Sequence, residues 1–148
     1  MRKLLTVLLF SLIPLIAQTP EEKAALGAAQ KLFDGMAARD AAMIRSVLLP
    51  DARLYSVRDS GAASPGIAGT DFATQIAANK SDLLERFTAR PEVLIHGRIA
   101  LVWGEYEFRR DGKFGHCGVD SFSLLKTDEG WKIATIVYSM EVTGCKGH

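Results

Sequence analysis

The stretch that decides the fold is 101-LVWGEYEFRRDGKFGHCGVDSFSLLKTDEGWKIATIVYSMEVTGC-145. It is rich in β-branched and aromatic residues, which favour strands. Turn residues interrupt it at Asp111 and Gly112 and again at residues 127–130. The pattern therefore predicts three consecutive antiparallel strands joined by two hairpins, preceded by a further strand in 92-EVLIHG-97.

The two turns predict a register for these strands. A three-residue loop at residues 111–113 would pair Arg110 with Phe114, and the second loop would pair Lys126 with Trp131. The cross-strand pairs that follow are Phe108–His116, Tyr106–Gly118, Gly104–Asp120, Leu124–Ile133, Phe122–Thr135, Asp120–Val137, Gly118–Ser139 and His116–Glu141.

Both faces of this predicted sheet are largely apolar. One face carries Tyr106, Phe108, His116, Asp120, Phe122, Leu124, Ile133, Thr135, Val137, Ser139 and Glu141. The other carries Trp103, Val119, Leu125, Ala134, Ile136, Tyr138 and Met140. A sheet that is apolar on both faces needs two covers, and we expect helices to supply one and a second copy of the chain to supply the other.

The residues before these strands are mainly helical in pattern. Helical spacing of apolar residues predicts a helix over Pro20–Ala38, and Asp40 is a candidate N-cap for a short second helix that Pro50 would end. Residues 52–59 form a strand candidate. A third helix is predicted in 70-TDFATQIAANK-80, capped by Thr70 or Asp71, with a further helical turn or two in 81-SDLLERF-87. Helices followed by a meander indicate an α+β domain.

The first 17 residues have the pattern of a secretory signal peptide. A basic start is followed by an apolar run over residues 4–16 and by Ala17, after which we expect cleavage. The expected location is secreted or periplasmic, with one domain over residues 18–148. An uncleaved membrane anchor is the alternative, but a helix that spans the membrane requires about 18 apolar residues, and this apolar run is shorter.

The charge of the remaining chain is nearly balanced. Without Arg2 and Lys3, 16 basic and 17 acidic residues are left, a net charge of −1 with neutral histidines. This balance argues against a nucleic-acid partner and against a membrane surface as the partner of the mature chain.

The order helix, helix, strand, helix, meander, together with residues 101–145, resembles the nuclear transport factor 2-like (SnoaL-like) superfamily. The chain looks most like the small secreted bacterial members, some of which are described as lumazine-binding proteins. The resemblance implies a cystatin-like α+β cone, in which a curved antiparallel sheet wraps over N-terminal helices around a pocket. It also implies a homodimer formed through the outer sheet face. Enzymes and binding proteins share this fold, so the resemblance does not imply one reaction.

The segment 113-KFGHCGVDSFSLL-125 contains a histidine, a cysteine and an aspartate within five residues. Alternation along a strand places His116 and Asp120 on one face and Cys117 on the other. This excludes a shared metal site or a Cys–His nucleophile pair. His116 and Asp120 are about 13 Å apart along the strand, too far for a hydrogen bond. Neither HExxH nor CxxC occurs, so no metal or other cofactor is expected.

Three functions remain open for the polar residues of this face. Asp120 buried beside Phe122 would have a raised pKa and could act as an acid or base, with Tyr106 or His116 as the proton donor. The same groups could instead orient a ligand, or Tyr106–Asp120 and His116–Glu141 could be structural pairs.

We expect foremost an exported protein that binds a small apolar or aromatic molecule. Its predicted ligand-binding residues are Tyr106, Phe108, His116, Asp120, Phe122, Thr135 and Ser139 from the sheet, and Phe33 and Met36 from the first helix. The alternatives are an isomerase, dehydratase or cyclase, and a structural module that docks another protein.

The two cysteines, Cys117 and Cys145, leave a disulfide open. An even count in an exported protein favours one. The predicted register places Cys117 opposite Met140, and a straight strand would then hold the sulfurs about 16 Å apart. A turn at Thr143 and Gly144 could bring them together.

Overall fold

Three helices and seven strands make up the part of the chain that the computed structural model describes, residues 18–58 and 60–145. The predicted signal peptide and His148 lie outside these residues. In chain order the elements are α1 (Pro20–Ala38), α2 (Ala41–Val47), β1 (Leu48–Arg58), β2 (Ile67–Ala68), α3 (Gly69–Ala78), β3 (Leu83–Phe87), β4 (Glu92–His96), β5 (Ile99–Arg110), β6 (Lys113–Thr127) and β7 (Gly130–Met140). None of the helices in this part of the chain is long and apolar enough to cross a bilayer.

The ends of the helices follow mostly from local capping. Helix α1 has the predicted bounds, because Thr19 forms a capping box with Glu22. Asp40 caps α2 as predicted, accepting from the backbone N–H groups of Ala42 and Met43. The predicted cap of α3 is wrong, since that helix starts after Ala68 without a side-chain cap.

The segment predicted as an extra helical turn after Ser81 is strand β3 instead. Leu83 is buried, Leu84 is exposed and Glu85 is half-buried, which is the alternation of a strand. Residues 83–87 pair antiparallel with β5, with Glu85 opposite Phe108. Sheet pairing outweighs the helix propensity of the segment, and it turns Glu85 toward the interior.

All strands belong to one sheet, in the order β2-β1-β7-β6-β5-β3, with β4 also paired to β5. The predicted α+β class is confirmed, with the helices packed on one face of a curved sheet. The sheet is mixed rather than wholly antiparallel, because β1 runs parallel to β7.

A bulge compensates for an error in the predicted β5–β6 turn. The loop has two residues, Asp111 and Gly112, both with positive φ (51° and 73°), and pairs Arg110 with Lys113. The predicted three-residue loop is therefore wrong. Gly115 is an extra residue in β6, so the predicted pairs Phe108–His116, Tyr106–Gly118 and Gly104–Asp120 are confirmed.

A second bulge changes the face of half of β7. The pairs Lys126–Trp131 and Leu124–Ile133 are confirmed, but Ala134 is then an extra residue. Beyond it the predicted partners of β6 are wrong by one position. The observed pairs are Ser123–Thr135, Phe122–Ile136 and Asp120–Tyr138, and Cys117 rather than His116 bridges to Glu141.

Because a one-residue slip exchanges the two faces of a strand, Ile136, Tyr138 and Met140 face the helices. We predicted them on the outer face. Thr135, Val137 and Ser139 are correspondingly displaced from the inner face.

The core lies between the helices and the inner face. Phe33, Phe87 and Phe122 pack edge to face there, with ring centroids 5.1 to 6.2 Å apart. The outer face remains apolar and exposed, with 61% of Leu94 and 43% of Trp103 accessible to solvent.

Cys117 and Cys145 form a disulfide, with 5.9 Å between their Cα atoms. Cys117 lies opposite Glu141 rather than Met140 as predicted. The tail after β7 includes Gly144 with a φ of 78°, and it returns Cys145 to β6. The bond left open by the sequence is thus present.

Candidate functional site

A cavity of about 170 Å³ lies inside the cone, between the sheet and helices α1 and α3. Most of its wall is aliphatic or aromatic, and five of its side chains are titratable. The lining residues are Leu32, Met36, Leu54, Phe72, Ile76, Glu85, Phe108, Arg110, His116, Asp120, Phe122, Ile136, Tyr138 and Met140.

Asp120 is the most buried polar group of this wall. It lies in β6 between Gly104 and Tyr138, and only 1% of it is exposed. Its Oδ2 atom is buried without a hydrogen-bond partner among the described residues. Burial, and then repulsion from Glu85, raise the pKa of Asp120.

Glu85 is a second carboxyl in the same wall, and sequence reasoning missed it. It projects from β3 opposite Phe108, and burial raises its pKa to about 8. The signal that could have found it is the alternation of Leu83, Glu85 and Phe87, which a helical interpretation hides.

Tyr138 faces Asp120 from the neighbouring strand β7. Burial raises the pKa of its phenol, although a hydrogen bond with Ser56 opposes this shift. Sequence reasoning placed Tyr138 outside, because the bulge at Ala134 has no recognisable sequence signal.

His116 lies in the wall as a neutral, stacked ring. Its imidazole stacks on Phe108, with centroids 4.8 Å apart, and meets Tyr106 edge-on at 5.7 Å. Burial, with the positive charges of Arg58 and Arg110, lowers the pKa of His116. The predicted His116–Glu141 pair does not form, since Glu141 Oε1 accepts from the hydroxyl of Ser139 at 3.0 Å.

Tyr106 is buried but does not line the cavity. Its hydroxyl donates to the backbone carbonyl of Ser139 at 2.8 Å, and burial raises the pKa of the phenol. Opposite Tyr106, a side chain at Gly118 would collide with the same carbonyl. The Ser139 backbone therefore fills the space beside Gly118, and the hydroxyl of Tyr106 does not pair with Asp120 as predicted.

Residues 20–139 match the model of a protein family described as "Putative lumazine-binding". The match covers most of the chain and all of the residues that line the cavity except Met140. The chain belongs to this family. None of the curated proteins matches the chain.

Solved structures of similar shape come from several bacteria. A nuclear transport factor 2-like superfamily protein of Salmonella enterica serovar Typhimurium has a TM-score of 0.62 and 15% identity, over 82% of this chain and 92% of that one. A protein with a cystatin-like fold from Novosphingobium aromaticivorans has a TM-score of 0.66 and 14% identity, and the alignment covers 85% of both chains. A protein of Streptomyces avermitilis described as a "putative dehydratase" has a TM-score of 0.64 and 22% identity, over 84% of this chain and 99% of that one. These likenesses confirm the predicted cystatin-like, nuclear transport factor 2-like fold.

The other predicted ligand-binding residues divide between the wall and its surroundings. In this member of the lumazine-binding-like family, Met36, Phe108 and Phe122 line the cavity. Phe33 packs behind Phe122. Thr135 and Ser139 do not line the cavity, because the bulge in β7 moves them off the inner face.

The arrangement has two carboxyls, a phenol, an imidazole and the guanidinium of Arg110 around one small apolar space. It can accept hydrogen bonds from a bound molecule, and it can hold or release a proton near neutral pH. Within residues 18–58 and 60–145, no group of three or more His, Cys, Asp or Glu residues is arranged to hold a metal ion.

Proposed function

We propose that this protein binds a small aromatic molecule inside the cone. The observation that carries the proposal is the cavity of about 170 Å³ with an apolar wall and a few convergent polar groups, the usual make-up of a ligand site. A cavity of about 150 Å³ holds one benzene ring, so the cavity of about 170 Å³ suits a ligand of one ring or slightly larger. The family's description supports a heteroaromatic ligand.

Filling the cavity tests this proposal. Ile76→Trp adds an indole at the wall formed by α3, whereas Leu94→Trp adds the same group on the exposed outer face. We expect indole and toluene to raise the melting temperature of the wild type and of Leu94→Trp, but not of Ile76→Trp. Equal shifts in both variants would place binding outside the cone and contradict the proposal.

A second candidate function is acid/base catalysis, and the Asp120–Glu85 pair favours it. Two carboxyls with raised pKa values in one cavity can take up and return a proton near neutral pH. Glu85 lines the cavity with Asp120 and can act as the proton donor to a bound substrate, whereas Tyr106 does not line the cavity and its hydroxyl bonds to the carbonyl of Ser139. Deuterium exchange into the α-position of a small cyclic ketone, lost in Asp120→Asn, would support it; equal rates in both proteins would not.

We also propose that the protein is exported. The predicted signal peptide supports this, and so does the disulfide, because such bonds persist mainly in oxidising compartments. The mass of the protein recovered from a bacterial periplasm should correspond to a chain starting at Gln18. A full-length chain retained in the cell would contradict export.

A homodimer through the outer sheet face is the remaining proposal. The exposed apolar side chains of this face support it: Leu94, Ile99, Trp103, Leu125 and Val137. Trp103→Glu should convert a dimer to a monomer in light scattering, while Ala37→Glu on the exposed side of α1 should not. A monomeric wild type at high concentration would exclude this arrangement.

A further inference from the structure

The cavity wall contains two acidic side chains and one arginine. Asp120 and Glu85 lie in the wall, and the influences on the Asp120 carboxyl are burial and the like charge of Glu85, both of which raise its pKa. Arg110 also lines the cavity, but the ion pairs among the described residues do not join it to either carboxyl. Among the described residues, the two carboxyls of the wall are therefore not ion-paired to a cationic side chain.

One of these acceptors is unsatisfied. Buried polar atoms nearly always have a hydrogen-bond partner, because an unpartnered one loses its hydration without compensation. Asp120 Oδ2 is buried in the cavity wall and has no partner among the described residues. A bound molecule that donates a hydrogen bond at this point would supply it.

We infer that the ligand is a small aromatic nitrogen base, an amidine or an amino-substituted heterocycle, whose neighbouring N–H groups bond to Asp120 and Glu85. This inference rests on the proposed binding function and specifies its ligand. Two carboxyls in one wall suit two N–H donors on one planar group. The stacked rings of Phe108 and His116, with Phe122 and Phe72, provide apolar surface for the aromatic part.

Other ligand classes fit this wall less well. An aromatic carboxylate would bring a negative charge beside two carboxyls whose raised pKa values show that negative charge is disfavoured there. A hydrocarbon would leave Asp120 Oδ2 without a partner. Both would therefore bind more weakly than a nitrogen base of the same size.

Titration calorimetry at pH 7 with benzamidine, benzoate and toluene tests the inference. These probes share one ring and differ in the group that would meet the carboxyls. In the wild type we expect benzamidine to bind at least tenfold more tightly than benzoate or toluene. Asp120→Asn and Glu85→Gln should each weaken benzamidine at least tenfold, because each removes a carboxyl that can ionise and pair with the bound cation. The exposed carboxyl variant Glu92→Gln should bind it like the wild type.

The outcomes separate the inference from the function on which it rests. Toluene binding retained in Asp120→Asn and Glu85→Gln shows that their cavities are intact. Toluene or benzoate binding the wild type as tightly as benzamidine would overturn the inference but keep the binding function. Benzamidine affinity unchanged in both variants would also overturn it. If no probe binds the wild type, the binding function and the inference fall together.

Discussion

Asp120 and Glu85 define the chemistry of the molecule at the scale of single residues. Sequence reasoning found Asp120, because an acidic residue in an apolar strand is conspicuous. It missed Glu85, because the segment LLERF favours a helix and the alternation of Leu83, Glu85 and Phe87 extends over only five residues. Pairing with β5 decided the structure of that segment, and this long-range contact outweighs the local propensity.

The two carboxyls predict an unusual dependence of stability on pH. Their folded pKa values are raised, that of Glu85 from 4.5 to about 8. Between pH 5 and 8 the folded state therefore binds more protons than the unfolded state. The free energy of unfolding should fall as pH rises through this window, by up to about 1.4 kcal/mol per pH unit for each extra proton.

Urea unfolding at pH 5, 6, 7 and 8 measures this dependence. Glu85→Gln should give a shallower slope than the wild type, since one of the titrating groups is gone. The exposed control Glu92→Gln should keep the slope of the wild type. Stability that is flat or rises over this range would show that the pKa values of the two carboxyls are not raised in the folded protein.

At the scale of elements, the strands were predictable and their bulges were not. The β5–β6 pairs around Tyr106 followed from composition, although the turn itself was misjudged by one residue and Gly115 compensated. In β7 the extra residue is Ala134, which lacks the glycine signature that marks many bulges. The extra residue at Ala134 places Tyr138 in the cavity wall and turns Thr135 away from it.

The close approach of β6, β5 and β7 at Gly118 gives a prediction at this scale. A methyl group at Gly118 would collide with the carbonyl of Ser139 and disturb its hydrogen bond with Tyr106. Gly118→Ala should lower the free energy of unfolding by about 1 to 3 kcal/mol.

Gly27→Ala is the matched control for this substitution, because the position lies in α1 with open space around it. That variant should be neutral or more stable by about 0.5 to 1 kcal/mol. Denaturant unfolding of both variants measures the difference. A Gly118→Ala protein as stable as the wild type would contradict the described packing.

The α+β architecture was the most predictable feature of the whole molecule, and the cone was what the resemblance to the nuclear transport factor 2-like superfamily implied. The helices before the meander and the apolar inner face follow from patterns repeated along the entire chain, so individual errors did not change them. The function was less predictable, because a few side chains on a shared fold determine it.

At the scale of the whole molecule, the disulfide is a covalent cross-link between two parts of the fold. It joins Cys117 in β6 to Cys145 across 28 residues of sequence and holds the end of the chain on the sheet. By restricting the unfolded chain it should contribute about 2 to 4 kcal/mol to stability. Urea unfolding with and without reductant should show this difference. Two free thiols in unreduced, denatured protein would contradict the bond.

The central claim is that an aromatic molecule binds inside the cone, and methionine methyl NMR tests it most directly. Met36 and Met140 line the cavity, whereas Met43 does not. With ¹³C-labelled methionine methyls, ring currents from added indole should shift the Met36 and Met140 signals in a saturable way and leave Met43 unchanged. Signals of Met36 and Met140 that stay in place at millimolar indole would contradict the claim.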